Sequence, residues 1–155
     1  MAIKNGRAFG LYKPHTPYFA PKKYYDLDET NEMEIPESSD AYLKTLPQPA
    51  AVSIRDKKDQ NSLEKDLAKT IKEAYYATNS FVDAQVGCVL DKLKATGLDK
   101  NTIVVFTPDH GCPLGEHGHW QKRTLFENAT RVPLIVAGPG MNKNQKIMDA
   151  IFTNI

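Results

Sequence analysis

Thr102-Ile103-Val104-Val105-Phe106-Thr107-Pro108-Asp109-His110-Gly111 is a nearly continuous β-branched and aromatic run that stops on a proline and a polar turn. That composition fits a strand buried on both faces. Upstream of it, Leu63, Leu67, Ile71, Ala74, Thr78, Phe81, Val82, Val86, Val89 and Leu93 recur at helical spacing. One long amphipathic helix over about residues 62–96 follows, with Asn61 or Ser62 as its cap, Glu64 in capping-box register and Gly97 at the left-handed C-terminal position. Gly87 inside it costs roughly 1 kcal/mol relative to alanine, which a closely packed partner on that face would offset. Downstream, Val132-Pro133-Leu134-Ile135-Val136-Ala137 reads as a second buried strand closed by Gly138-Pro139-Gly140. Near the start, Ala8-Phe9-Gly10-Leu11-Tyr12 reads as a short strand running into the rigid loop Lys13-Pro14-His15-Thr16-Pro17-Tyr18. Strand, long helix and strand make a crossover unit, so the expected class is α/β, with a mainly parallel sheet and covering helices. Three strands are a small sheet for so long a helix. Uncovered sheet edges and apolar helix faces would make the isolated chain prone to aggregate.

The bulk composition narrows the function classes. A chain of 155 residues with 41% apolar content is expected to form a single domain over 1–155. Its 20 basic and 19 acidic side chains leave a net charge of +1, so no global field argues for nucleic acid or an anionic membrane. No stretch reaches the roughly 20 apolar residues of a membrane span, and Met1-Ala2-Ile3-Lys4-Asn5-Gly6-Arg7 lacks the apolar core of a signal peptide. Cys88 and Cys112 are too few for a disulfide framework and form no Cys-x-x-Cys pair, which leaves the compartment open. Between about 21 and 61 the sequence is polar and irregular, with Pro21, Pro36, Pro47 and Pro49 and an acidic stretch from Asp26 to Glu37. A loop of that length is expected to serve as a binding loop, lid or linker over the surface.

The chemistry concentrates beyond the strand that ends at Thr107, because ligands of open α/β sheets bind past the carboxyl ends of the strands. Asp109 offers a hard anionic oxygen and His110 an imidazole, so the pair suits two coordination positions of a divalent cation. The same Asp-His-Gly also reads as a polar turn leaving a strand. Gly115-Glu116-His117-Gly118-His119-Trp120-Gln121-Lys122 follows, a dense set of titratable groups on a glycine-rich segment. Zinc held by His110, Glu116, His117 and His119 is one reading, although the spacing fits neither finger-type nor helical His-Glu-x-x-His patterns. Lys122 suits an anion such as sulfate or phosphate as a point charge, or is a solvated surface lysine. His15, placed after the first expected strand, can act as general acid or bind an anion, or is an ordinary satisfied histidine. Taken together, these groups suggest hydrolysis of a charged ester.

Thr107-Pro108-Asp109-His110-Gly111, Leu114-Gly115-Glu116-His117-Gly118 and Trp120-Gln121-Lys122 together resemble the sulfatase family. The chain looks like the branch of iduronate-2-sulfatase and its bacterial relatives. Lys13 to Tyr18, the helix from Tyr75-Tyr76-Ala77 to Gly87, and Arg131-Val132-Pro133-Leu134-Ile135 are similar to that branch in order and spacing, so the resemblance covers nearly the whole chain. It implies part of an alkaline-phosphatase-like α/β domain in which a calcium ion and a formylglycine cleave sulfate esters, here of a sulfated sugar. By position it implies Asp109 and His110 as calcium ligands, Lys122 and His15 as groups contacting the sulfate and the leaving oxygen, and Lys13 as a further substrate contact. Cys112 stands where the nearest relatives tend to carry a larger residue beside the substrate. No Cys/Ser-x-Pro-Ser/Ala-x-Arg segment, from which the family makes its nucleophile, occurs in the 155 residues. The N-terminal strand whose paired aspartates complete the family's calcium shell has no counterpart either. The expectation is therefore a sulfatase fragment, inactive alone, that works with a complementary N-terminal half. Full-length relatives are usually exported. A phosphodiesterase or phosphatase of the same superfamily, and an anion-binding module without turnover, are the alternatives.

Overall fold

The structure, a computed structural model, describes residues 6–55, 61 and 63–141. In chain order, α1 spans Lys22–Tyr25, α2 Asp40–Leu43, α3 Gln48–Arg55 and α4 Lys65–Ala95; β1 spans Val104–Phe106, α5 Glu127–Thr130 and β2 Ile135–Ala137. The segment from 21 to 61, expected to be irregular, carries three short helices and a 3-10 turn at Thr30–Glu32 among its described residues. Lys69 Nζ donates to Asn31 O at 2.8 Å and Lys72 Nζ to Glu34 O at 2.7 Å, tying this segment to α4.

The long helix begins later than its apolar pattern alone suggests. Its cap is Glu64, whose carboxylate accepts from the backbone N–H groups of Asp66 (3.0 Å) and Leu67 (3.1 Å). Asn61 instead pairs with His119 in an isolated antiparallel bridge, and Ser62 lies outside the described residues. Gly97 adopts the left-handed conformation at φ 71°, as a helix-ending glycine should. Gly87 has no neighbour within 4 Å of where a Cβ would stand, so nothing among the described residues packs closely there to offset its helix cost. The bonds from Asp66 and Leu67 hold the Glu64 carboxyl below its ordinary value of 4.5. A lowered folded-state value means that the cap stabilises fully above that ordinary value and is lost as pH falls through the lowered one. Helicity of the first turn of α4 is expected to fall on acidification in the wild type. Glu64→Gln, which keeps an acceptor without the charge, should remove that part of the acid dependence in far-UV circular dichroism.

The two strands differ from expectation in direction. β1 and β2 pair antiparallel, with Val104 opposite Ala137, Val105 opposite Val136 and Phe106 opposite Ile135. Phe106 and Ile135 being partners, the intervening chain leaves and re-enters at one end of the pair, which only an antiparallel ladder allows. The helix precedes β1 and does not lie between the strands. The expected strand at Ala8–Tyr12 forms no ladder, so the strand-helix-strand crossover is not closed among the described residues. The α/β class holds, and the consequence for function is that residues 107–134 form one excursion beyond the carboxyl end of β1.

The core lies beneath that excursion. Ala68 of α4 packs with Leu114 and Trp120, joined by Ile35, Leu63, Ile71, Tyr75 and Cys112. Val105 is 60% exposed, and Ile135, Val136, Val89 and Leu90 are also exposed. The N-terminal half of α4 therefore supports the excursion, and the strand pair and the end of the helix stand uncovered.

Candidate active site

Three of the residues singled out from sequence meet at the carboxyl end of β1. His110 Nδ1 lies 2.7 Å from its neighbour's carbonyl, Gly111 O, which can only accept, so Nδ1 carries the proton and Nε2 the lone pair. Lys122 Nζ donates to that Nε2 at 3.0 Å. Asp109 Oδ2 stands 3.7 Å from the same nitrogen, and its side chain is 86% exposed. Asp109 Oδ1 also accepts from the His110 N–H at 3.1 Å, an Asx-type contact that fixes the pair. Gly111 anchors the turn from behind, donating to Ala129 O at 2.7 Å.

Lys122 arrives from a hairpin-like return. Leu114 bridges Trp120, Gly115 N donates to His119 O at 3.0 Å, and Gln121 N donates to Pro113 O at 3.0 Å. Glu116 closes the start of this return by accepting from Leu114 N at 2.6 Å. Gln121 (φ 76°) and Arg123 (φ 73°) both adopt left-handed backbone, so the two neighbours of Lys122 are held in conformations that non-glycine residues rarely take. His119, 3% exposed, donates from Nε2 to Lys122 O at 3.0 Å.

His15 and Lys13 make their own polar contacts within the neighbouring loop. His15 Nδ1 donates to Thr16 O at 2.9 Å beside the Tyr12 ring, and Lys13 Nζ binds His15 O at 3.3 Å and also Pro17 O. The link to the site is Tyr18, which lies beside Cys112. Burial pushes the Cys112 thiol up, the Tyr18 contact acts in the opposite sense, and Lys122 and Glu116 lie within electrostatic reach. Burial likewise raises Tyr18 and Tyr75, each raised further by Cys112. A cavity of about 350 Å³ opens here between Pro17 and Tyr18 of the loop, Leu67 and Ile71 of α4, and Trp120 and Gln121. In the sequence Tyr18 reads only as the end of a loop. Nothing in its spacing signals that it meets Cys112, far along the chain.

The zinc reading fails on geometry. His117, itself at φ 57°, is hydrogen-bonded to Tyr42 Oη at 2.6 Å and stacked on Phe126 at 4.0 Å. His119 is buried against Lys122 O, and the Glu116 carboxylate holds a backbone amide. Among the described residues no three His, Cys, Asp or Glu side chains converge as a metal cluster.

A family model described as Sulfatase matches residues 9–153. The chain belongs to the sulfatase family. Among curated relatives, a sulfatase of Formosa agariphila is 40% identical over 144 residues, covering 90% of this chain and 28% of that protein. Iduronate 2-sulfatase of Mus musculus is 37% identical over 146 residues, covering 86% of this chain and 26% of its own length. The phosphonate monoester hydrolase of Silicibacter pomeroyi superposes with a TM-score of 0.72 at 27% identity, covering 83% of this chain and 28% of that one. This sulfatase-family chain thus spans between a quarter and a third of the length of the proteins it matches. Its mixed helices and strands correspond to part of the α/β domain that these alkaline-phosphatase-superfamily enzymes share.

Proposed function

We propose that the chain forms the cation- and sulfate-binding side of a sulfatase active site, acting on sulfate esters of a sugar with a calcium ion. The observation that carries this reading is the Lys122 ammonium on His110 Nε2, with the Asp109 carboxylate 3.7 Å from the same nitrogen. One spot thereby holds a group suited to a cation and a group suited to an anion. Calcium takes roughly six to eight oxygen-rich ligands. The exposed Asp109 carboxylate fits as one, and His110, its Nδ1–H spent on Gly111 O, offers Nε2 as another. The remaining ligands would come from outside these residues. The cation would offset charge on the sulfate oxygens. His110 Nε2 has a single lone pair, so Lys122 must leave it when that nitrogen takes up a cation. The lysine is then available to a sulfate oxygen as a mobile point charge. His15, its Nδ1–H held by Thr16 O, keeps Nε2 as the atom that can hold a proton and pass it to a departing alkoxide. Lys13 would contact substrate from the same loop.

The 155 residues contain no segment from which the family makes its formylglycine, so the chain alone is expected to be inactive and to need a nucleophile-bearing N-terminal half. The test is hydrolysis of an aryl sulfate with calcium chloride, comparing the chain alone with the chain plus the N-terminal half of a sulfatase of the same branch. Turnover only in the mixture, and only with calcium, supports the reading. Turnover by the chain alone would overthrow the assignment of an absent nucleophile. A second reading, hydrolysis of phosphonate or phosphate esters, is favoured by the superposition on a phosphonate monoester hydrolase. A higher rate on an aryl phosphonate than on the sulfate in the same mixture would select it. A chain that binds sulfate without turnover in either assay would be an anion-binding module.

A further inference from the structure

We propose that His119 is a positioning residue for Lys122, holding the lysine's backbone so that its ammonium reaches His110. This inference rests on the reading of Lys122 as the anion-binding group. His119 Nε2 donates to Lys122 O at 3.0 Å from a side chain only 3% exposed. Its Nδ1 is buried with no hydrogen-bond partner. An apolar side chain would fill the same space without an orphaned acceptor, so packing alone does not account for an imidazole there.

What the imidazole supplies is a donor to one carbonyl, between two residues held in left-handed backbone. Gln121 and Arg123 flank Lys122 in left-handed conformations at φ 76° and 73°. Such residues persist only where their surroundings over-determine them. On the upstream side, Gln121 N is pinned to Pro113 O at 3.0 Å. At Lys122 itself the His119 imidazole holds the carbonyl, and the side chain beyond it lies 3.0 Å from His110 Nε2. His119 is in turn fixed through its own backbone: its N–H donates to Glu116 O at 2.9 Å and its carbonyl accepts from Gly115 at 3.0 Å. The chain of contacts thus runs from the Gly115 turn through His119 to Lys122 and His110. None of it is visible in the spacing of the histidines along the chain.

The test uses the full 155-residue chain without metal, labelled with 15N at histidine, and reads the His110 Nε2 resonance. Lys122→Ala marks its position without the lysine hydrogen bond. In His119→Leu the resonance is expected to move to that marker; in His119→Gln, whose amide can donate to the same carbonyl, it should return to the wild-type position. A His119→Leu variant that only melts earlier, with the His110 signal unmoved, would overturn the proposal, because a purely structural role predicts that result. Should His119→Leu fail to fold, His119→Phe, a ring without a donor, takes its place: a signal at the Lys122→Ala marker supports the positioning role and a wild-type signal rejects it. Titrating the wild type with calcium chloride and sodium sulfate tests the functional reading separately. Silence there would sink the active-site assignment without touching the His119 result.

Discussion

Replacing Lys122 by alanine is expected to lower kcat for aryl sulfate hydrolysis in the reconstituted mixture by about 10² to 10³-fold, the effect of removing one preorganised donor from developing charge. The ammonium is the cationic side chain that the structure places on His110, and it is delivered there by a return whose backbone is fixed on both sides of it. Removing it leaves the proposed cation ligands Asp109 and His110 in place, so calcium dependence should survive while the rate falls. Lys122→Arg is not expected to restore the rate, because a planar fork does not reproduce a compact point charge at the end of a flexible stem. A Lys122→Ala rate within about threefold of wild type would remove the lysine from the site and with it the central argument for an anion-binding role.

Gly111→Ala is expected to displace the Asp109–His110 pair even though it touches neither side chain. A Cβ at Gly111 would collide with the carbonyl oxygen of Asn128 and stand 3.3 Å from Ala129 Cα, both backbone atoms with little room to give. The glycine also donates to Ala129 O at 2.7 Å, the bond that holds the Asp109–Gly111 turn against α5. Overpacking of this kind costs about 1–3 kcal/mol and sometimes more. Hydrogen exchange at the amides of 109–112 and 129–131 should accelerate by roughly 5- to 150-fold, since local opening tracks that energy. Calcium-dependent turnover in the mixture should fall in parallel. Unchanged exchange across both segments would mean that the turn and α5 are not coupled as the close approach indicates.

The helix and the family were legible in the sequence because both rest on local pattern. Apolar residues at helical spacing define α4 whatever surrounds it, and Gly97 ends it with a conformation that glycine adopts at little cost. The ordered blocks around Asp109-His110-Gly111 and Trp120-Gln121-Lys122 identified the sulfatase family without any coordinates. The start of α4 was less legible: Asn61, Ser62 and Glu64 all have side chains that can cap a helix, and the choice of Glu64 follows from Asn61 being drawn into a bridge with His119.

Strand direction and side-chain partners lay beyond the sequence because both depend on long-range contacts. A buried apolar run reads the same in either direction, and only the pairing of Phe106 with Ile135 makes the two strands antiparallel. His117 and His119 sit two residues apart and looked alike as ligands. Tertiary structure sends one into a stack between Tyr42 and Phe126 and buries the other beneath Lys122. The sequence by itself determined the helix, the family and a set of candidate site residues. The fold alone decided which of them meet, because the 107–134 excursion brings Lys122 back to His110 through backbone contacts that no local pattern encodes.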